Sequence, residues 1–110
     1  MTEKEKKFLS DITNSIELIE NFTIGVNSFG EYSKDFKTKA AVERHLGIIG
    51  EAVNKFLKEA STNELRNASQ IISLRNRLIH SNDNVDDSII WSIVTRHLKP
   101  LKEEINKKIG

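Results

Sequence analysis

Apolar residues recur at intervals of three and four along almost the whole of this chain, and no other feature restricts its fold as tightly. Phe8, Ile12, Ile16 and Ile19 mark one face of a helix over residues 3–21. Val42, Leu46, Ile49, Val53, Phe56 and Leu57 do the same for a longer helix over about 36–59. Leu65, Ala68, Ile71, Ile72, Leu74, Leu78 and Ile79 describe a third over about 63–79. Ile90, Ile93, Val94, His97, Leu98, Leu101 and Ile105 describe a last one reaching about Lys107, with a bend expected at Pro100. No segment alternates with the period of two that a half-buried strand needs. The expected fold is therefore all-α, an up-and-down bundle of four main helices within a single domain, residues 1–110, with one short extra turn in "NFTIGVNSFGEYS".

Two glycines interrupt the long helix, Gly47 and Gly50, each costing about 1 kcal/mol relative to alanine. They predict that another backbone approaches closely there, most simply a neighbouring helix. "ASTN" predicts the stop and restart before the third helix, with Ser61 or Thr62 as N-cap, and Asn84 or Asp86 is expected to cap the last one.

The charge balance narrows the function classes. Seventeen Lys and Arg against sixteen Asp and Glu leave a formal charge of +1, so no global field steers a polyanion or a membrane surface, and any such site must be local. Between Thr62 and His80, Arg66, Arg75 and Arg77 face only one acid, Glu64. With no cysteine, thiolate metal sites, disulfides and cysteine nucleophiles are excluded. No apolar run follows the N-terminal lysines and none approaches the ~20 residues a bilayer span requires, so a cytoplasmic protein without membrane association is expected.

Within "SLRNRLIHSNDN", residues 73–84, one residue conflicts with the pattern around it. At 100° per residue Arg75 falls near the middle of the apolar cluster of its helix. Burying an unpaired guanidinium there costs several kcal/mol, whereas a leucine would stabilise by about 1.5–3 kcal/mol. Asn76 and His80, four residues apart, lie on one face beside it. Together they offer a permanent cation, an imidazole that titrates near neutrality and an amide able to orient either. That set suits a phosphodiester: the arginine grips non-bridging oxygens while the histidine moves a proton as a 2′-hydroxyl attacks phosphorus, a route that needs no metal or cofactor. A twofold dimer would supply both an acid and a base. The alternative is a structural Arg75 neutralised by a carboxylate, for which Glu51 in "IGEA" is the natural candidate, either orienting the site or simply pairing. Arg77 lies off the apolar face and can reach RNA phosphate or solvent. His45 and His97 read as packing or surface residues, Trp91 as core or interface, Arg66 as solvated, and Asp83, Asp86 and Asp87 as turn and N-cap acids rather than metal ligands. Those three acids and the C-terminal end of the motif helix favour a protonated His80.

"LRNRLIHSNDNVDDSIIWSIV", with "KDFKTKAAVERHLGIIGEAVNKF" upstream and "LKPLKEEI" downstream, resembles the HepT-type branch of the HEPN superfamily, the toxin half of HepT/MNT toxin–antitoxin pairs. The resemblance covers most of the chain from Phe22 onward. It implies an all-α, dimeric bundle with a metal-independent RNase site in the dimer cleft, formed here by Arg75, Asn76 and His80. It also implies a partner, an MNT-type nucleotidyltransferase antitoxin that can transfer AMP to a tyrosine two residues after the histidine. This chain has Asn82 at that position, and its only tyrosine is Tyr32. The family's Pro- and Trp-containing linker before the motif is replaced by the shorter "ASTNELRNAS". Two rivals remain at this point: a non-catalytic module that docks a nucleotidyltransferase through the same cleft, and a plain helical interaction domain.

Overall fold

Side chains fix most helix starts by taking the N–H groups that a first turn leaves unbonded. The structure, a computed structural model, describes residues 1–80 and 86–110, and for 78–80 the backbone alone. Helix α1, Glu3–Phe22, opens on a reciprocal pair in which Glu5 N–H donates to Thr2 Oγ1 at 3.1 Å and Thr2 N–H to Glu5 Oε1 at 2.9 Å. Gly25, at φ +84°, turns the chain out of α1 in a conformation closed to side chains with a Cβ. The short α2, Phe29–Lys34, is capped by Ser28, and α3, Phe36–Glu59, by Asp35. Then follow α4, Ser69–His80; α5, Asp87–Arg96, capped by Asp86; and α6, Leu98–Ile109.

Helices α1 and α3 form the long central pair. Helix α4 packs on α3, α6 packs on α1, and α2 bridges α3 and α5. The smallest extent of the molecule, 19 Å, holds two layers of helices about 10 Å in diameter. Ile12, Ile16 and Ile19 of α1 and Val42, Leu46, Ile49 and Val53 of α3 are closed to solvent between the layers, joined by Ile71 and Leu74 of α4 and Leu101 and Ile105 of α6. The all-α bundle and the bounds of α3 are as the periodicity predicts. None of the described helices is long and apolar enough to cross a membrane.

Two expectations are corrected. The third helix begins at Ser69, not near Asn63. Donors of Asn63, Arg66 and Asn67 are taken by groups from elsewhere: Asn63 Nδ2 donates to Glu5 Oε2 at 2.6 Å and to the Phe56 backbone carbonyl at 2.9 Å, while Arg66 N–H and Asn67 N–H donate to the Glu104 carboxylate at 2.8 and 2.9 Å. Leu65 and Ala68 are buried as anchors of an extended turn. The last helix is two helices, and the break falls at His97, three residues before the expected bend at Pro100. Proline has no N–H for the Arg96 carbonyl, and its ring collides with the carbonyl four residues back, so the disruption appears upstream. The proposed cap at Asn84 lies outside the described residues, whereas Asp86 caps α5 as expected.

Candidate functional site

Gly50 determines where Arg75 can sit. A Cβ at Gly50 would lie 3.2 Å from Arg75 Cβ and 3.4 Å from its Cδ, so the glycine lets the arginine stem lie flat across α3. The close approach expected of the two glycines is thus real for Gly50, although it is a side chain of α4 that comes near. For Gly47 the expectation fails within this chain, since a Cβ there would meet nothing within 4 Å.

Held this way, Arg75 Nε donates to Glu51 Oε1 at 3.0 Å. The acid expected to face Arg75 does so. Arg75 is not at the middle of a buried face, however: its side chain is 25 % exposed and that of Glu51 55 %. The reason is the late start of α4, which removes Leu65 and Ala68 from the helical wheel and leaves Ile71 and Leu74 as its core side, with Arg75 at the margin. Ion pairs this exposed contribute about 0–1 kcal/mol, so this one adds little to stability.

The pair opens into a groove of about 540 Å³. Its floor is the outward face of α3, with Arg44, Gly47, Ile48, Glu51 and Lys55. One wall is α1, with Lys7, Phe8 and Asp11, and the other is Arg75. Among the described residues, the terminal amino groups of Arg75 have no hydrogen-bond partner.

Asn76 is exposed, next to Arg75 on α4. His80 is the final residue of the same helix, four positions beyond Asn76, and its side chain lies outside the described part, as do Asn82 and Asp83. Arg77, two residues and about 200° on from Arg75, is not brought to the groove. It lines a separate slot of about 280 Å³ between α4 and α5 with Ser73, Ser88 and Ser92.

His45 and Trp91 are packed against neighbouring side chains. Ser15 Oγ lies 3.3 Å from His45 Nδ1, and the His45 ring packs on Phe22. Trp91 stacks on Tyr32 at 5.1 Å between centroids. Asp87 pairs with Lys39 at 2.7 Å, tying α5 to α3. Tyr32 is completely buried, its hydroxyl is without a hydrogen-bond partner among the described residues, and burial pushes its pKa up. Arg44, Lys55 and Lys7 went unnoticed in the sequence, where Phe8 stands out only as a member of the apolar face of the first helix. The signal was there for two of them, since Arg44, Glu51 and Lys55 are spaced seven and four apart on one face of the longest helix.

The sequence profile described as "Ribonuclease HepT-like" matches residues 12–107. A protein of Thermococcus cleftensis named "Probable ribonuclease HepT" is 35 % identical, over 97 % of each chain. One of Methanocaldococcus jannaschii named "Putative RNase" is 37 % identical over 94 % of this chain and 86 % of its own. Another, from Caldanaerobacter subterraneus and also named "Putative RNase", is 28 % identical over 93 % of this chain and 91 % of its own. No solved structure matches the chain.

Proposed function

The chain belongs to the HepT-like ribonuclease family, and from that premise we propose that it is a metal-independent endoribonuclease, the toxin of a HepT/MNT-type pair, acting at Arg75, Asn76 and His80. The observation that carries the reading is the Arg75–Glu51 pair at the edge of an open groove. A cation held by its Nε, on a pair that adds little stability, is arranged for a ligand rather than for the fold.

The reaction follows from these groups. One imidazole takes the proton of the 2′-hydroxyl, and that oxygen bonds to the adjacent phosphorus. The bond from phosphorus to the 5′-oxygen breaks, and a second imidazole returns a proton to the leaving oxygen. The products are a 2′,3′-cyclic phosphate and a 5′-hydroxyl, with no water consumed. Arg75 holds the non-bridging oxygens, on which charge grows in the transition state. Glu51 fixes the guanidinium plane, and Asn76 orients the histidine. A homodimer brings the two imidazoles to one cleft.

The burial of Tyr32 bears on control. With Asn82 at the family's tyrosine position, the chain presents no accessible tyrosine for AMP transfer. Either a nucleotidyltransferase partner neutralises this protein by binding alone, or another hydroxyl takes the AMP, or this copy has lost its toxicity. The non-catalytic docking module remains the second reading for the same reason.

The test is cleavage of end-labelled RNA in excess EDTA by the parent and by Arg75→Ala and His80→Ala, with folding checked by circular dichroism. The parent should cleave and leave cyclic phosphate ends, and each folded variant should lose on the order of 10²-fold or more. A folded parent that cleaves nothing, or variants as active as the parent, would overturn the reading.

A further inference from the structure

The groove carries more charge than the catalytic pair uses. Four cations line it, Lys7, Arg44, Lys55 and Arg75, against two acids, Asp11 and Glu51, although the whole chain is only +1. Lys7 is paired with Asp11 at 3.2 Å and Arg75 with Glu51 at 3.0 Å. Arg44 and Lys55 are exposed, and among the described residues neither is paired with a carboxylate. They share one face of α3, eleven residues apart, which is three turns and about 16 Å along the helix. Glu51, and Arg75 with it, falls between them, about 10 Å from the level of Arg44 and about 6 Å from that of Lys55. The floor is thus a line of three cationic positions with the candidate catalytic arginine inside it.

Apolar surface lies beside that line. Ile48 is 36 % exposed, and Phe8, packed partly on the core, shows its remaining surface to the same groove. Cations in a row next to an aromatic ring and an aliphatic chain match a strand whose phosphates lie on one side and whose unstacked bases lie on the other. A duplex keeps its bases stacked within, so they cannot reach the bottom of a groove between helices.

We infer that the groove along α3 is a track for single-stranded RNA, with Arg44 and Lys55 holding the phosphates on either side of the one gripped by Arg75. The inference rests on the ribonuclease reading for the identity of the strand. Arg44 and Lys55 are binding residues that touch the substrate away from the reacting phosphorus, and Gly47, with open space where a Cβ would stand, keeps the floor between them clear.

The test separates binding from cleavage by using a probe that cannot react. A fluorescein-labelled 2′-O-methyl oligouridylate has no free 2′-hydroxyl, so its anisotropy on titration with protein reports the track alone. The parent should bind it and prefer it to the same sequence in a duplex. Arg44→Gln and Lys55→Gln should each weaken binding and each flatten the plot of log affinity against log salt by about 0.7, the double variant by about 1.4. Failure of the parent to bind, or variants with the slope of the parent, would overturn the inference. So would variants whose mass by sedimentation differs from that of the parent, because the groove would then be a protein interface. A parent that binds through Arg44 and Lys55 yet cleaves no natural RNA would leave the track standing and remove the ribonuclease.

Discussion

Gly47 and Gly50 stand one turn apart in α3 and meet opposite surroundings. Alanine at either position gains about 1 kcal/mol of helix propensity. At Gly47 nothing opposes the new methyl, so Gly47→Ala should raise stability by roughly that amount. At Gly50 the methyl would press on the stem of Arg75 at 3.2 Å. Gly50→Ala should therefore fall short of the gain seen at Gly47 and should reduce RNA cleavage by moving the guanidinium away from Glu51. Urea denaturation and a cleavage assay on both variants check this. Equal stabilisation with unchanged cleavage would show that Arg75 does not depend on the space Gly50 leaves. The sequence alone shows both glycines and the arginine but not which glycine serves it, because that depends on the angle at which α4 crosses α3.

Among the elements, the segment 60–68 departs furthest from expectation and is held by two distant carboxylates, Glu5 and Glu104. Glu104 of α6 accepts from two backbone N–H groups and from Asn67 Nδ2, at 2.8 to 3.0 Å. Burial works against its charged form, but the donors of Arg66 and Asn67 outweigh it and hold the pKa below the ordinary 4.5. Glu104→Ala should cost about 1.5–2 kcal/mol, the lower part of the range for bonds to a charged group since the site is partly solvated. It should also speed amide exchange in residues 66 and 67 ahead of the rest of the chain. An exchange profile unchanged there would mean that Leu65 and Ala68 anchor the segment by themselves. A local reading of "STNELRNAS" favours a helix because its capping residues and acid stand in the right order. The competing donors and acceptors come from the two ends of the chain, where no local pattern can reveal them.

For the whole molecule, carboxylates anchor four different places. Glu5 is held down by its backbone bond with Thr2 and then by Asn63, Asp35 by the side chain and backbone of Thr38, and Asp86 by the backbone and hydroxyl of Ser88. With Glu104, all four have folded values below their ordinary ones of 3.8 or 4.5. A depressed carboxylate gives its full stabilisation above its unfolded value and loses it as pH falls through the folded one. The melting temperature should therefore be flat from neutrality down to the ordinary carboxylate range and fall steeply below it. Glu104→Ala should melt lower at neutral pH and have a shallower acid limb. A parent whose acid limb matches that of the variant would rule out Glu104 as a contributor.

The amino-acid sequence by itself determined the all-α class and the course of the two long helices α1 and α3, because a 3.6-residue apolar period survives any packing, and it singled out Arg75, Asn76 and His80 as polar groups against an apolar pattern. It also carried the family likeness, which the match over residues 12–107 bears out. Only the tertiary structure decided that Arg75 stands at the rim of a groove, that Arg77 faces another slot, and that Lys7 and Phe8 of α1 line the same groove as Arg44 and Lys55 of α3. The physical reason is that periodicity fixes which face of a helix is buried, whereas a site is made where the exposed margins of several helices meet, and those margins are set by crossing angles and by where each helix starts.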